Sequence, residues 1–311
     1  MSWWKTPAKR TILGNMEISR PVDFSLEEET LLDMHSVLNV MNVVIFEIMR
    51  LGEHMGGPDE LSALQDQTVD AADRLRDPDA AEQQVVHVED FIDRVNRVLD
   101  TVAGADTTDP AVREIRTNLE SIFAILRVRA REIVARHRDP RAWVTHDIPQ
   151  LRTNFTQVFQ AIEQNSHGRY RIVYNVAEHE AGNYLVNFEI TSAAGATIDM
   201  PAVFQDVMRD LLANARKYTA PGGRIEAGLY NSGSELRYVV SDTGIGIPDA
   251  EITAITDFGV RGSNVKDRPT RGGGFGLTKA YYVTRRFGGR MWIDSSPAGT
   301  RIEIRIPCPG V

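Results

Sequence analysis

The sequence contains a single cysteine, Cys308, close to its C-terminal end. One thiol closes no internal disulfide, so the fold must rest on packing, and a reducing cytoplasm is the expected setting. A concentrated basic face is also missing. Lys and Arg number 35 against 43 Asp and Glu, a formal net charge of -8. Binding a phosphate backbone needs clustered positive charge, so nucleic acid is not expected as a partner. Long apolar runs are scarce. The most apolar stretch, Val37 to Met49, is interrupted by Asn39, Asn42 and Glu47. A bilayer span asks for ~20 predominantly apolar residues, so no membrane span is expected. The opening residues MSWWKTPAKR lack the apolar core of a signal peptide. Trp3 and Trp4 beside Lys5, Lys9 and Arg10 suit either contact with a membrane surface or a loosely tied N-terminal arm over residues 1–19. No repeat or low-complexity tract occurs. What remains, 311 residues with 42% hydrophobic and 25% charged, is ordinary globular composition with room for two domains.

Residues up to about 138 read as helices. Ser25, followed three residues later by Glu28, spells a capping box that opens the first. Behind it Leu31, Met34, Leu38, Met41, Ile45 and Ile48 step by three and four residues. Val37, Val40, Val44 and Leu51 add a second row. An apolar arc that wide suits a four-helix bundle. Further helices are predicted over about 59–76, 81–103 and 110–137, the last with Ile115, Leu119, Ile122, Leu126 and Ile133 as its seam. These long seams need a partner to cover them, which predicts a homodimer. The two helices between them exceed the usual hairpin connection.

From about residue 141 the texture changes. A helix carrying Leu151, Phe155, Val158 and Ile162 leads into strand-like runs Tyr170–Val176 and Tyr184–Thr191. A helix at about 201–218 follows, then strands at Arg224–Leu229, Leu236–Ser241, Arg290–Ser295 and Thr300–Ile306. The predicted fold class is α+β. A helical dimerisation bundle spans about 20–140 and a two-layer α/β sandwich about 145–307.

Four short motifs in the sandwich carry chemistry. Asp210, Asn214 and Lys217 fall at i, i+4 and i+7 of one helix and share a face, with Val207, Leu211 and Ala215 opposite. A carboxylate, an amide oxygen and an ammonium on one stripe suit a hydrated Mg²⁺ and a polyphosphate. A plain amphipathic helix has the same appearance. In DTGIGIP, Asp242 at a strand end can accept a hydrogen bond from an exocyclic amine, and Gly244 and Gly246 let backbone come close to a flat ligand. A tight surface turn is the alternative. In RGGGFGL, Gly272, Gly274 and Gly276 precede a helix, an arrangement that turns backbone N–H groups toward phosphates. Any glycine-rich loop fits that pattern alone. The polar loop Arg261 to Thr270 before it reads as a lid, and GTRIEI places Thr300 at a turn into the last strand.

Taken in order, DLLANARKYT, DTGIGIP, GGGFGL and AGTRIEIRIP resemble the asparagine box and three glycine boxes of sensor histidine kinase ATPase domains. These belong to the wider group that includes gyrase and the Hsp90 chaperones. Neither GxxxxGK[ST] nor HRD/DFG occurs, so the site is not of Walker or protein-kinase type. The resemblance implies ATP and Mg²⁺ as cofactors. Asn214 would hold the metal, and Lys217 and Tyr218 would contact the nucleotide. Asp242 would read adenine in a pocket shaped by Gly244 and Gly246. Gly272, Gly274, Gly276 and Leu277 would form the hinge over the phosphates, and Thr300 would lie near adenine. Asp210 stands where many such kinases carry Asn and some an acid, and its carboxylate could orient or deprotonate a nucleophile.

A histidine kinase also needs an exposed helical histidine. His35, in DMHSVLN, stands beside Asn39 and Asn42 on the helical wheel, away from the main apolar arc. The family pattern places an acid after the histidine and Thr or Asn four positions on. Asn39 matches and Ser36 does not, which leaves slow chemistry, another base such as Asp33 or Glu47, or lost activity. His54, His87 and His137 are rivals near helix ends or without an Asn partner. The expected function is autophosphorylation of His35 and transfer to a response-regulator receiver domain, with Asn39 positioning water for dephosphorylation. A sensor partner protein could supply the signal. Two other classes stay open: a kinase of the same group acting on serine, and a non-catalytic ATP-binding scaffold.

Overall fold

The computed structural model describes residues 16–164, 168–265 and 274–310. The arm with Trp3 and Trp4, and Gly272 of the glycine run, lie outside these residues. The chain divides into a helical unit, Asp23–Pro140, and an α/β unit made of the remainder.

In the helical unit the capping box forms. Glu28 N–H donates to Ser25 Oγ at 3.2 Å and Ser25 N–H donates to Glu28 Oε2 at 2.9 Å. It opens α1 (Leu26–His54). There follow α2 (Asp59–Arg74), α3 (Ala81–Val86), α4 (Val88–Ala103) and α5 (Pro110–Arg138). The helix predicted over 81–103 is thus two, because His87 leaves helical geometry with ψ at 26°. Asp109 starts α5, its Oδ1 accepting from Ala111 N–H at 2.8 Å.

α1 packs on α2 and α5, α2 packs on α4, and α4 packs on α5, so the ring of four closes within one chain. Met34, Leu38, Met41 and Ile48 of α1 share one buried cluster with Leu61 and Leu64 of α2, Phe91, Ile92 and Val95 of α4, and Leu119, Leu126 and Ile133 of α5. The chain's own short helices cover these seams, so the four-helix arrangement does not by itself require a second copy. α1 is long and apolar enough, by length and composition, to cross a bilayer. Counting its interruptions missed this, although Leu32, Met34, Val44 and Leu51 are wholly buried core residues.

The α/β unit is built on a seven-stranded sheet. Its strands are β1 (Met16–Glu17), β3 (Ile172–Val173), β4 (Tyr184–Ser192), β6 (Arg224–Asn231), β7 (Glu235–Asp242), β8 (Arg290–Ser296) and β9 (Gly299–Pro307), in spatial order β1-β8-β9-β7-β6-β4-β3. β3, β4 and β6 run parallel and the other neighbours antiparallel. β2 (Trp143–Asp147) and β5 (Thr197–Pro201) form a separate pair. α6 (Ile148–Gln164), α7 (Phe204–Tyr218) and α8 (Phe275–Arg286) pack on the sheet. Phe204, Val207, Met208 and Leu211 from α7 and Ile225, Leu229, Tyr238, Ile304 and Ile306 from the sheet are at most 1% exposed and form the middle of the sandwich.

The sheet departs from expectation in two places. The strand predicted over Tyr170–Val176 shrinks to β3, because the Asn175 side chain accepts from Ala177 N–H at 3.0 Å and turns the chain into a 3-10 segment. The N-terminal segment is not wholly a loose arm. Met16 and Glu17 pair with Ile293 and Trp292, Ile18 is fully buried, and the Tyr281 hydroxyl donates to the Arg20 carbonyl at 2.5 Å. Arg20 also pairs with Asp257 at 2.7 Å.

Two positions on α5 test the closed bundle. Leu126 is fully buried and Val128 half exposed. Leu126→Ala is expected to lower the unfolding free energy by about 2–5 kcal/mol, measured by urea denaturation. Val128→Ala should stay within about 0.5 kcal/mol. An equal cost at Val128 would mean that a second copy covers that face.

Candidate functional site

α7 presents two faces. Val207, Leu211 and Ala215 are buried, while Asp210, Asn214, Lys217 and Tyr218 are half-buried. At the C-terminal end of α7, the Tyr218 carbonyl accepts from Ile245 N–H at 3.3 Å, which docks the turn after β7 onto the helix. Gly244 has no room for a side chain there: a Cβ would lie 2.6 Å from the Tyr218 carbonyl oxygen. Gly246 has φ of +72°, and its Cβ would collide with the Ser296 carbonyl. Both glycines thus serve close approach of the protein's own backbone, a role the motif alone did not disclose.

Asp242 ends β7 and is held at one oxygen. Its Oδ1 accepts from Gly244 N–H at 2.8 Å and from Thr300 N–H at 3.4 Å. Oδ2 has no hydrogen-bond partner among the described residues and is the acceptor left for a ligand amine. Burial pushes the carboxyl up to about 6, against the opposing pull of the two amide bonds. The Thr300 hydroxyl pairs with Ser295 Oγ at 2.9 Å, and Ser295 Oγ accepts from Ile247 N–H at 2.8 Å. Ser295 therefore braces both glycine turns. Nothing in its sequence position marked it, since it lies between the motifs.

Gly274 caps α8 in left-handed geometry, and Gly276 and Leu277 are half-buried in its first turn. A Cβ on Gly276 would lie 2.7 Å from Asn214 Nδ2, so the start of α8 is pressed onto the Asn214 amide. The Phe275 ring lies 4.9 Å from Phe258, and Thr278 Oγ1 donates to the Asp257 carbonyl at 2.9 Å. Lys217 lies close enough to Arg261 to feel its charge. Burial first and Arg261 second press its ammonium below the usual lysine range. Two cations brought together beside a half-buried amide suit an anionic ligand.

Among the described residues no group of three His, Cys, Asp or Glu could by itself hold a metal ion. A single amide oxygen completed by ligand phosphates is the arrangement Mg²⁺ accepts, and Asn214 with its cationic neighbours fits that pattern. The described residues thus bring Asp210, Asn214, Lys217, Tyr218, Asp242, Gly244, Gly246, Gly274, Gly276, Leu277 and Thr300 into one unit.

His35, in the helical unit, is not exposed as the helical wheel implied. It is 9% accessible, and its Nε2 lies 3.1 Å from Asn39 Nδ2. The amide nitrogen can only donate, so Nε2 accepts. Glu47 cannot act as its base. Twelve residues of helix separate them by roughly 18 Å, and Glu47 is paired with Arg50 at 3.0 Å. Asp33, two residues before His35, points to another side of the helix. His54 is bonded to Asp109 at 2.9 Å and His87 to Asp90 at 3.0 Å.

Seven strands layered with helices, and a carboxylate, an amide helix face and a glycine-capped helix gathered on one side, define an ATP-binding domain. The family profile for histidine kinase-, DNA gyrase B- and HSP90-like ATPases matches residues 199–310, and that part of the chain belongs to this family. The Adaptive-response sensory kinase SasA of a Synechococcus species is 36% identical over 122 residues, 37% of this chain and 32% of the relative. SasA of a Synechocystis species is 28% identical over 172 residues, 52% of this chain and 43% of the relative. The sensor histidine kinase WalK of Bacillus subtilis is 34% identical over 113 residues, 35% of this chain and 18% of the relative. The chain spans less than half the length of each of these relatives.

The Asp242 carboxyl generates a pH prediction. Its charged form, the better acceptor, is present above a pKa of about 6 and is lost below it. ATP affinity measured by calorimetry should therefore weaken as pH falls from 7 to 5. Asp242→Asn should bind more weakly at pH 7 and lose the part of the pH dependence that is not due to ATP itself. Equal slopes for both proteins would remove Asp242 from the binding step.

Proposed function

We propose that the chain is an ATP- and Mg²⁺-dependent protein histidine kinase. His35 Nε2 attacks the γ-phosphorus of ATP, the bond to the β-phosphate oxygen breaks, and ADP leaves. The phosphoryl group then passes to an aspartate of a response-regulator receiver domain. The observation that supports this most is the Asp242–Asn214–Gly276 site in a family ATPase domain, carried on the same chain as a helical bundle with the His35–Asn39 pair. Mg²⁺, held by Asn214 and the phosphates, would offset phosphate charge. The work of the protein is positioning: Lys217 and Arg261 toward the phosphates, Asp242 toward adenine, Asp210 toward the transferred group.

His35 must open before it can react, since its nucleophilic nitrogen is bonded and largely covered. Asn39, exposed one turn further on, is placed to release it and later to orient water. Val43 and Met49 on α1 and Ile125 and Val128 on α5 stay exposed, and we assign that apolar surface to the receiver domain. Homodimerisation is part of the same reading. We place the protein in the cytoplasm, with α1 serving as a core helix of the bundle. The covered state of His35 favours one rival reading, a kinase of the same group acting on serine.

Incubation with γ-labelled ATP separates these readings. The wild type is expected to take up label that acid removes and alkali spares, and His35→Gln to take up none while binding ATP within about twofold of wild type. Acid-stable label, or label surviving in His35→Gln, would show that another side chain is the acceptor.

A further inference from the structure

Lys279, in the first turns of α8, is 1% exposed, which makes it the most deeply buried cation among the described residues. Its ammonium lies 3.2 Å from Asp206 Oδ2 and 3.9 Å from Asp210 Oδ2. Both aspartates are on α7, one turn apart. Asp206 is itself buried and also pairs with Arg209. Asp210 differs: its side chain keeps 22% exposure, on the same face as Asn214. The lysine thus reaches from a closed ion pair to the edge of the nucleotide site.

Packing alone does not call for an ammonium here. A buried ion pair can commonly be replaced by apolar residues of similar volume at no loss of stability, so its presence points to placement rather than to strength. What Lys279 places can be read from its neighbours. Three residues earlier, Gly276 presses on the Asn214 amide, and one residue earlier, Thr278 fixes α8 to the Asp257 carbonyl. α8 therefore bears on α7 at two successive functional positions, Asn214 through a glycine and Asp210 through an ammonium. Asp206 fixes the ammonium from the closed side, leaving its remaining attraction for Asp210.

We infer that Lys279 is a positioning residue that orients the Asp210 carboxylate beside the transferred phosphoryl group and makes that orientation depend on the seating of α8. This rests on the kinase reading above, with Asp210 acting at the γ-phosphate. Asp206 completes the device. It keeps the ammonium from being a lone buried charge and fixes the side from which Lys279 approaches Asp210.

The test uses the full chain, with label uptake from Mg-ATP for kcat and KM and calorimetry for ATP affinity. Lys279→Met combined with Asp206→Asn removes both charges of the buried pair at once; Arg209, which loses Asp206 as an ionic partner, keeps 16% exposure, and thermal unfolding confirms the fold. It is expected to lower kcat about tenfold while ATP affinity stays within about twofold. Asp206→Asn alone keeps the ammonium near Asp210 but loosens its fixed side, and should lower kcat less than the double variant does. In an Asp210→Asn background the double change should cost nothing more, because the group it acts through is gone. Unchanged kcat in the double variant, or a loss that multiplies with that of Asp210→Asn, would overturn the inference and leave Lys279 as a packing residue. Absence of label in the wild type, with ATP binding intact, would instead overturn the kinase reading and this inference with it.

Discussion

A carboxylate withdrawn from water at the end of β7 organises the nucleotide site. Asp242 is costly to bury, as its raised pKa records. Two backbone amides offset that cost, from Gly244 and Thr300, and both must come within reach of one oxygen. That requirement propagates. Thr300 reaches Asp242 only if the turn before β9 runs against β7, where a side chain on Gly299 would collide with the Asp242 carbonyl. Gly244 reaches it only if its turn lies flat on the end of α7. The ends of β7, β9 and α7 are thus brought together by one acceptor. The oxygen left over is a fixed, partly desolvated acceptor of the kind that discriminates by hydrogen bonding.

Much of this was legible because it is local. Ser25 and Glu28 spell their own cap, and the capped helix begins at the next residue. The strands from β6 onward carry uninterrupted apolar alternation and lie within a residue or two of their predicted bounds. The glycine turns are recognisable as words. What could not be read depends on pairing at a distance. β2 has little apolar pattern and exists because Trp143–Asp147 finds Thr197–Pro201 across more than fifty residues. β1 is two residues long and depends on an open edge at β8. Lys279 looked like an ordinary helical lysine, because a sequence does not show which side of α8 faces Asp206. What covers the bundle seams was out of reach for the same reason. The seams were correct, but periodicity gives the width of an apolar face and not the identity of what covers it.

Closure of the bundle within one chain changes what controls His35. If His35 is the acceptor, as proposed, packing within its own bundle bears on its reactivity. The imidazole is covered and its Nε2 engaged, while Ser36 beside it offers no carboxylate and Glu47 is beyond reach and paired. A base at Nε2 is not required. A neutral imidazole protonated at Nδ1 already presents Nε2 as a lone pair, and the Asn39 amide selects that tautomer by donating to it. On the proposed function, the bond that blocks the nucleophile is also the one that prepares it. Breaking a single neutral hydrogen bond costs about 1 kcal/mol net, so Asn39 alone is a weak barrier. If attack proceeds from an opened state, its rate scales with the population of that state. Ligands or partners that favour opening then control the kinase without touching the nucleotide site.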